Sequence, residues 1–305
     1  MVIKETRVKF GRGITVGFAL FAAGASILTG CTSNSEQTGT PTGAKVSVSG
    51  QSDLAAMVPA AIRSKGVLSI GVAPNYPPNE YVNTAGKIVG WDIDLMDAVA
   101  AKLGLKTSYE NATFDNIVPG VTTGKYDVGV SSFTDNITRE KSVDFVDYFN
   151  AGTQWAGAKG KTIDPDNACG LRVAVQTSTS QATVDVPRRS ATCIANGKPA
   201  IKIQSYHDQA AATTAVVLGK ADAVVADSPV IAYGVKQQSD KLQLAGKLYD
   251  AAPYGYAIKK GSPLALALQK SLEALIADGS YARIAAQWGD EAGAIKVPSI
   301  NGATG

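Results

Sequence analysis

The sequence predicts an α/β protein of two units, each a mainly parallel sheet with helices on both faces. Three observations carry that expectation. The chain has 305 residues, enough for two domains of about 150 residues. From about residue 53 the apolar residues alternate between helical and strand spacing, and repeated β-α-β units mean parallel sheets covered by helices. Near residue 172 the same alternation starts again. Hydrophobic residues make up 45% of the chain, so a sizeable core can be buried.

The elements follow in order. Residues 53–65 are apolar at helical spacing and stop at Gly66, and 67–73 form a short apolar strand. Within 92–103, Ile93, Leu95, Met96, Val99, Ala100 and Leu103 line one helical face that ends at Gly104. A strand at 106–109, a short helix at 114–123 before Gly124 and a buried strand at 127–130 come next. The second set has a strand at 172–175, a helix from about Ser180, a strand at 201–204 and a helix at 208–218 before Gly219. A strand at 223–225 leads into a helix that opens at Asp227 with Pro229 in its first turn. Last come a strand at 256–259, a helix over 262–278 and another over 280–288. Ser262 suits the N-cap of the first of these, Pro263 its first position and Gly279 its C-cap. Ligands in such folds bind at the carboxyl ends of strands, beside helix N-termini. The loops after Ala73, Val130, Val175 and Val225 are therefore where a site is expected.

Residues 1–30 read as a targeting segment. A basic stretch from Lys4 to Arg12 precedes an apolar run over 14–28, too short to span a membrane comfortably. The run ends in Leu28-Thr29-Gly30-Cys31, which resembles the lipobox of bacterial lipoproteins. That resemblance implies cleavage before Cys31, a lipid on its thiol and a place on the outer face of the cytoplasmic membrane; the alternative is an ordinary signal peptide with a chance cysteine. Residues 31–52, rich in Ser, Thr, Gly and Asn, are expected to form a flexible tether. With Lys4, Arg7, Lys9, Arg12 and Glu5 set aside, acidic and basic residues balance, which gives no reason to expect nucleic-acid binding. Cys169 and Cys193 then remain, an even number suited to a disulfide in an oxidising compartment. A bridge would stabilise the chain by roughly 3–4 kcal/mol. The rival reading, a metal site, lacks a zinc spacing, and His207 stands alone in a polar stretch. No metal or cofactor is expected.

At the loops singled out, the chain resembles the family-3 (polar amino acid) solute-binding proteins of ABC importers. The first block is Tyr76-Pro77-Pro78-Asn79-Glu80-Tyr81, followed by Gly86 through Gly90-Trp91-Asp92-Ile93-Asp94-Leu95. Phe114-Asp115-Asn116-Ile117-Val118-Pro119 and Gly124-Lys125-Tyr126-Asp127 form the second. Ser131-Ser132-Phe133-Thr134, Thr138-Arg139-Glu140-Lys141 and Val143-Asp144-Phe145 match the family's signature segment. Residues 221–229 are the counterpart in the second unit, and Asp278-Gly279-Ser280-Tyr281 through Trp288-Gly289 match the usual end. The resemblance covers about residues 60–290. It implies a two-lobed periplasmic-binding-protein-like fold of type II with two crossing hinge strands. Lobe one would hold 53–150 and 255–298, lobe two 155–249, with crossings near 151–154 and 250–254.

A free amino acid is a zwitterion, and burying it is costly unless both charges are paired and hydrogen-bonded. Arg139 can grip a carboxylate through two hydrogen bonds. By resemblance it takes the ligand carboxylate, with Ser131, Ser132 and Thr134 beside it. Ser180 adds donors from the opposite lobe at a helix start, and Gln176 faces the ligand. Asp227 is both an N-cap candidate and, by resemblance, the partner of the ligand ammonium. Tyr76 and Phe114 form aromatic walls; Trp155 either shapes the pocket or packs the hinge. Ala73 stands where relatives for cationic amino acids carry an acid, which argues for a polar, non-cationic ligand. Asn79 replaces a usual aromatic and is expected to offer an amide. The segment 177–181 lacks the glycine usual at 178, which puts the contacts of lobe two, Ser180 included, in question.

The expected function is to capture an amino acid between the lobes, close, and deliver it to ABC transporter permease subunits, as a monomer held to the membrane by lipid. Two alternatives stand beside it: an enzyme on the same fold, such as a dehydratase of a cyclic amino-acid precursor, and an amino-acid-sensing lipoprotein without transport.

Overall fold

The computed structural model describes residue 2 and residues 45–303; the expected signal peptide, Cys31 and the tether before residue 45 lie outside the described residues. The end of the expected tether is packed rather than free. Lys45 pairs with Asp94 at 2.8 Å and Asp97 at 3.0 Å, Val46 and Val48 lie on the lobe-one core, and the Gln51 amide donates to Lys102 O at 2.9 Å.

Helices α1 (Ser52–Met57) and α2 (Ala60–Lys65) replace the single helix expected over 53–65. Pro59 divides them, since it has no amide hydrogen and disfavours a helical residue before it. Strand β1 (Val67–Val72) leads to a small antiparallel sheet of β2 (Asn75–Tyr76), β3 (Glu80–Val82) and β4 (Ile88–Val89) that the sequence pattern does not announce. Next are α3 (Trp91–Lys102), β5 (Lys106–Asn111), α4 (Phe114–Thr123), β6 (Val128–Gly129), α5 (Ile137–Glu140) and β7 (Val143–Ala158). Lobe two has β8 (Arg172–Gln176), α6 (Val186–Ala195), β9 (Lys202–Tyr206), α7 (Gln209–Val217), β10 (Ala223–Asp227) and α8 (Ser228–Gln237). The chain returns along β11 (Leu242–Lys259) to α9 (Leu264–Ala277) and α10 (Ser280–Trp288).

One eight-stranded sheet runs through both lobes in the order β5-β1-β6-β11-β7-β10-β8-β9. Within lobe one β1 is parallel to β5 and β6; within lobe two β8 is parallel to β9 and β10. The antiparallel pair β7 and β11 belongs to both, with Tyr256 opposite Val146 at one end and Leu244 opposite Ala156 at the other. Its register shifts fall between Ala245 and Gly255, where β11 passes from lobe two to lobe one. Segments 151–154 and 250–254 are thus parts of two long strands.

Each lobe buries both faces of its sheet. In lobe one, Leu95, Val99, Leu268 and Leu272 cover one face, and Ile117, Val121 and Phe133 the other. In lobe two, Val216, Val230 and Ile231 lie on one side, and Trp155, Val173 and Val186 on the other. Trp155 is fully buried and donates to the Tyr249 hydroxyl at 2.7 Å, so it packs the hinge. Cys169 and Cys193 are disulfide-bonded, as expected, and tie the segment before β8 to α6. Among the described residues no helix is long and apolar enough to cross a membrane.

Candidate functional site

The carboxyl end of β6 delivers Ser131 and Ser132 to the inner face of lobe one. Ser132 holds φ +50, an uncommon conformation for a side-chain-bearing residue. Its amide donates to Asp92 Oδ2 at 3.0 Å, and its hydroxyl reaches Glu80 Oε2 at 3.0 Å. Ser131 Oγ donates to Glu80 Oε1 at 3.0 Å and accepts the Ala73 amide at 3.2 Å. Gly90 fits α3 against this wall: a Cβ there would lie 1.9 Å from Asn79 O, and φ is +147. The close approach sets Asp92, in the first turn of α3, beside Glu80. Burial, then the charge of Asp92, push the Glu80 carboxyl well above its ordinary value; burial raises Asp92 to about 6 against hydrogen bonds from Tyr148 and Ser132.

Arg139 lies on α5, whose N-cap Asn136 accepts the Arg139 amide at 2.9 Å. Its guanidinium carbon is 5.5 Å from the ring centres of both Phe114 and Phe133, which stack at 4.5 Å. Two nitrogens donate to Thr134 O at 2.8 Å and Ser178 O at 3.0 Å. The guanidinium has five N–H donors, so others are left for a ligand. Burial pulls its pKa down to about 10, offset mainly by the charge of Asp227, and it stays protonated at neutral pH.

Lobe two supplies the opposite wall. Ser178 adopts φ +64: the left-handed turn that a glycine would make is kept by a serine, at a strain of about 1–2 kcal/mol. Its carbonyl thereby meets Arg139. After Ser180 the helix opens with one widened turn, Gln181–Asp185, of a kind frequent at functional sites. Gln181 Nε2 donates to Asp227 Oδ1 at 2.8 Å and approaches Thr153 Oγ1 at 3.0 Å. Ser180 Oγ is buried without a partner. Asp227 occupies the N-cap position of α8, but its carboxylate does not cap the helix. Instead Tyr76 OH donates to Oδ2 at 2.9 Å and accepts the Asp227 amide at 3.2 Å. Burial raises the Asp227 pKa, while hydrogen bonds that include Gln181 and Tyr76, together with the Arg139 charge, pull it back.

These walls meet around a narrow cavity whose free volume is only about 10 Å³, roughly one water's worth, so the lobes must part to admit a ligand. Tyr76, Phe114, Ser131, Ser132, Thr134, Arg139, Gln176, Ser180 and Asp227 all line it, so these nine residues expected from the sequence face one space. Asn75, Glu80, Thr179 and Gln181 line it as well and were not singled out; Glu80 and Gln181 stand inside motif strings, which is the one signal they gave. Ala73, Asn79, Trp155 and His207 do not line it. Asn79 corrects its expected role: its amide donates to Ser132 Oγ at 2.9 Å and its oxygen accepts Trp91 Nε1 at 2.8 Å, fully buried. The lobes touch across the cavity through Tyr76–Asp227, Arg139–Ser178 and Gln176 Nε2–Asn75 Oδ1 at 3.3 Å. One cation and two acids around a small enclosed space suit a compact dipolar molecule with an additional positive group. Among the described residues, no group of His, Cys, Asp and Glu side chains is placed to hold a metal ion.

A sequence profile of the bacterial extracellular solute-binding proteins, family 3, matches residues 68–291. The arginine-binding protein ArgT of Corynebacterium glutamicum is 43% identical over 277 residues, which is 90% of this chain and 91% of that protein. Among solved structures, an ancestral arginine-binding protein bound to arginine is 32% identical with a TM-score of 0.67, over 73% of this chain and 98% of that one. An ancestral arginine-binding protein bound to glutamine gives 32% and 0.66, over 74% and 99%.

Proposed function

This chain belongs to the bacterial extracellular solute-binding proteins of family 3, and on that footing we propose that it binds a free amino acid with a cationic side chain, arginine first among them, and delivers it to an ABC importer. The observation that carries this reading is the placing of Arg139 and Asp227, from opposite lobes, on one cavity that also exposes the buried acid Glu80. Arg139, with Thr134 and the partnerless Ser180 hydroxyl, takes the α-carboxylate. Asp227 takes the α-ammonium, Phe114 and Tyr76 flank the side chain, and Gln176, Ser131 and Ser132 hold the surrounding groups. The non-cationic ligand expected from Ala73 gives way here. Ala73 is 1% exposed and lies outside the cavity wall, so its lack of charge says nothing about specificity, whereas Glu80 sits in that wall. The arginine-binding relative supports the same choice.

The lobes close on the ligand and the closed form presents itself to the permease subunits; a lipid on Cys31 holds the monomer at the outer face of the cytoplasmic membrane. Calorimetry across the twenty amino acids tests the reading, with arginine or lysine expected to bind at micromolar affinity or tighter. Binding confined to acidic or small neutral amino acids would sink it. A second reading draws on the raised Glu80, a neutral acid able to protonate a leaving group; recovery of the bound compound unchanged after prolonged incubation separates binding from turnover.

A further inference from the structure

The lobe-one wall carries more negative charge than its hydrogens can serve. Glu80 and Asp92 are both fully buried. Ser132 Oγ lies 3.0 Å from Glu80 Oε2 and 3.3 Å from Asp92 Oδ2, yet a hydroxyl has one hydrogen to give. Ser131 Oγ serves the other Glu80 oxygen, while Tyr148 OH at 2.8 Å and the Ser132 amide serve Asp92 Oδ2. Asp92 Oδ1 is buried with no partner. Among the described residues neither carboxyl takes part in an ion pair with a Lys or Arg. The charged and titratable groups around the pair are Tyr76, Asp227 and Arg139 on the cavity, and Tyr109, Tyr148 and Tyr256 beneath it. Arg139 alone is cationic, and two of its nitrogens are already engaged by Thr134 O and Ser178 O. Two adjacent buried carboxyls cannot both ionise without a cation, and a shared proton fills the shortfall.

We propose that Glu80 and Asp92 share one proton until a cationic side chain enters the cavity, and that the incoming cation displaces it. The Glu80 O–H bond breaks, the proton passes to solvent, and the ionised Glu80 pairs with the ligand's guanidinium or ammonium while Asp92 stays ionised. One positive charge enters and one leaves, with nothing oxidised or reduced. A ligand with a neutral amide side chain leaves the proton in place, and the Glu80 O–H then donates to the amide oxygen. The pair therefore sets specificity through pH. Affinity for a cationic amino acid rises as pH rises through the titration of the pair and levels above it, by up to about tenfold per pH unit. Affinity for a neutral amide does not rise. This rests on the cavity being the amino-acid site proposed above.

The test is titration calorimetry with L-arginine and L-glutamine as probes, in buffers of different ionisation enthalpy, from about pH 5 to about pH 8, a span that starts above the ordinary carboxyl range. Arginine is expected to release close to one proton at the acid end, and glutamine none. In Glu80→Gln the proton release disappears and the ratio of arginine to glutamine affinity falls by about 100-fold, as for an ionic partner lost from a buried site. Arginine binding without proton release, or release that survives in Glu80→Gln, overturns the proposal. If no amino acid binds, the functional reading fails instead, and the pair is read without a ligand. Infrared difference spectra should then show a buried neutral carboxylic acid that Glu80→Gln removes, and spectra in which that substitution removes no such acid overturn the proposal on their own.

Discussion

On the lobe-two side of the cavity, Asp227 sits among donors: Tyr76 OH at 2.9 Å, Gln181 Nε2 at 2.8 Å, and the Arg139 guanidinium across the same space. On the lobe-one side, Glu80 receives two serine hydroxyls, and the charge that acts on it most strongly belongs to another carboxylate, Asp92. Burial raises both acids and hydrogen bonds pull both back, but only Asp227 is also offset by a positive charge, that of Arg139. The contrast teaches where each charge comes from. Asp227 has its hydrogen-bond donors and a cation in place before anything binds. Glu80 waits for a cation that the fold does not supply, which makes it the more selective of the two walls.

Removing Arg139 should break the contrast most severely. In Arg139→Ala, Asp227 loses its offset and a ligand carboxylate would be buried unpaired. Affinity for the best amino acid should fall by about 3 kcal/mol or more, which is over 100-fold. Arg139→Lys should recover only part of it, because an ammonium cannot reproduce the planar fork. Calorimetry decides this, and a loss of less than tenfold in the alanine variant would take Arg139 out of the carboxylate role.

The disulfide asks whether the lobe-two wall depends on that lobe's overall stability. Cys169 and Cys193 lie against the Trp155–Val173 side of the sheet and do not line the cavity. Replacing both with serine should lower unfolding stability by about 3 kcal/mol in urea and leave amino-acid affinity unchanged at temperatures where the protein stays folded. A parallel loss of affinity would mean that the Asp227 wall is shaped by the cross-link.

How far the sequence reached follows from what each element must satisfy. Helix α3 was legible because Ile93, Leu95, Met96 and Val99 recur on one face with Gly104 behind them, and they are buried as that pattern requires. Strand β7 was not. It is buried almost throughout, yet carries Asp147, Thr153 and Gln154, so neither alternation nor an apolar run marks it. Arg139 and Asp227 could be picked out because each stands at the end of a strand-and-turn motif. Glu80 could not, because its chemistry is made by Asp92 on another element, brought beside it by the Gly90 contact. A lone sequence shows residue types but not which two acids will meet.

Asp135 and Asp147 repeat the Glu80 pattern away from the cavity wall and give the comparison a control. Both are 2% exposed, and neither Asp135 oxygen has a partner. Asp147 Oδ2 is held by Ser299 Oγ at 2.6 Å and the Gly302 amide at 3.1 Å. Burial, then the charges of Asp147 and Glu140, raise Asp135 to about 8. The folded state thus binds this proton more tightly than the unfolded chain does. Stability should fall as pH rises from about 4, the ordinary carboxyl value, through about 8. Asp135→Asn removes the acid, so it should stabilise the protein by about 2 kcal/mol at about pH 9 and much less near pH 5. Urea unfolding at both pH values checks the sign; equal effects at both would mean that Asp135 is already ionised near neutral pH.

Tyr76 offers the smallest change and the finest distinction. It stands on β2 of lobe one, yet its ring packs with Ala212, Val230 and Ile231 of lobe two, and its hydroxyl both donates to and accepts from Asp227. Tyr76→Phe keeps the ring contact and removes one donor from a buried carboxylate that retains Gln181 and Arg139. The cost should be about 1 kcal/mol, near fivefold in affinity. Because the hydroxyl serves Asp227 and makes no hydrogen bond to Glu80, the number of protons released when arginine binds should not change. Proton release measured by calorimetry in two buffers separates the walls: a Tyr76→Phe protein that releases fewer protons would show that Asp227 and Glu80 titrate as one group, and the two sides of the cavity would have to be treated as a single acid network.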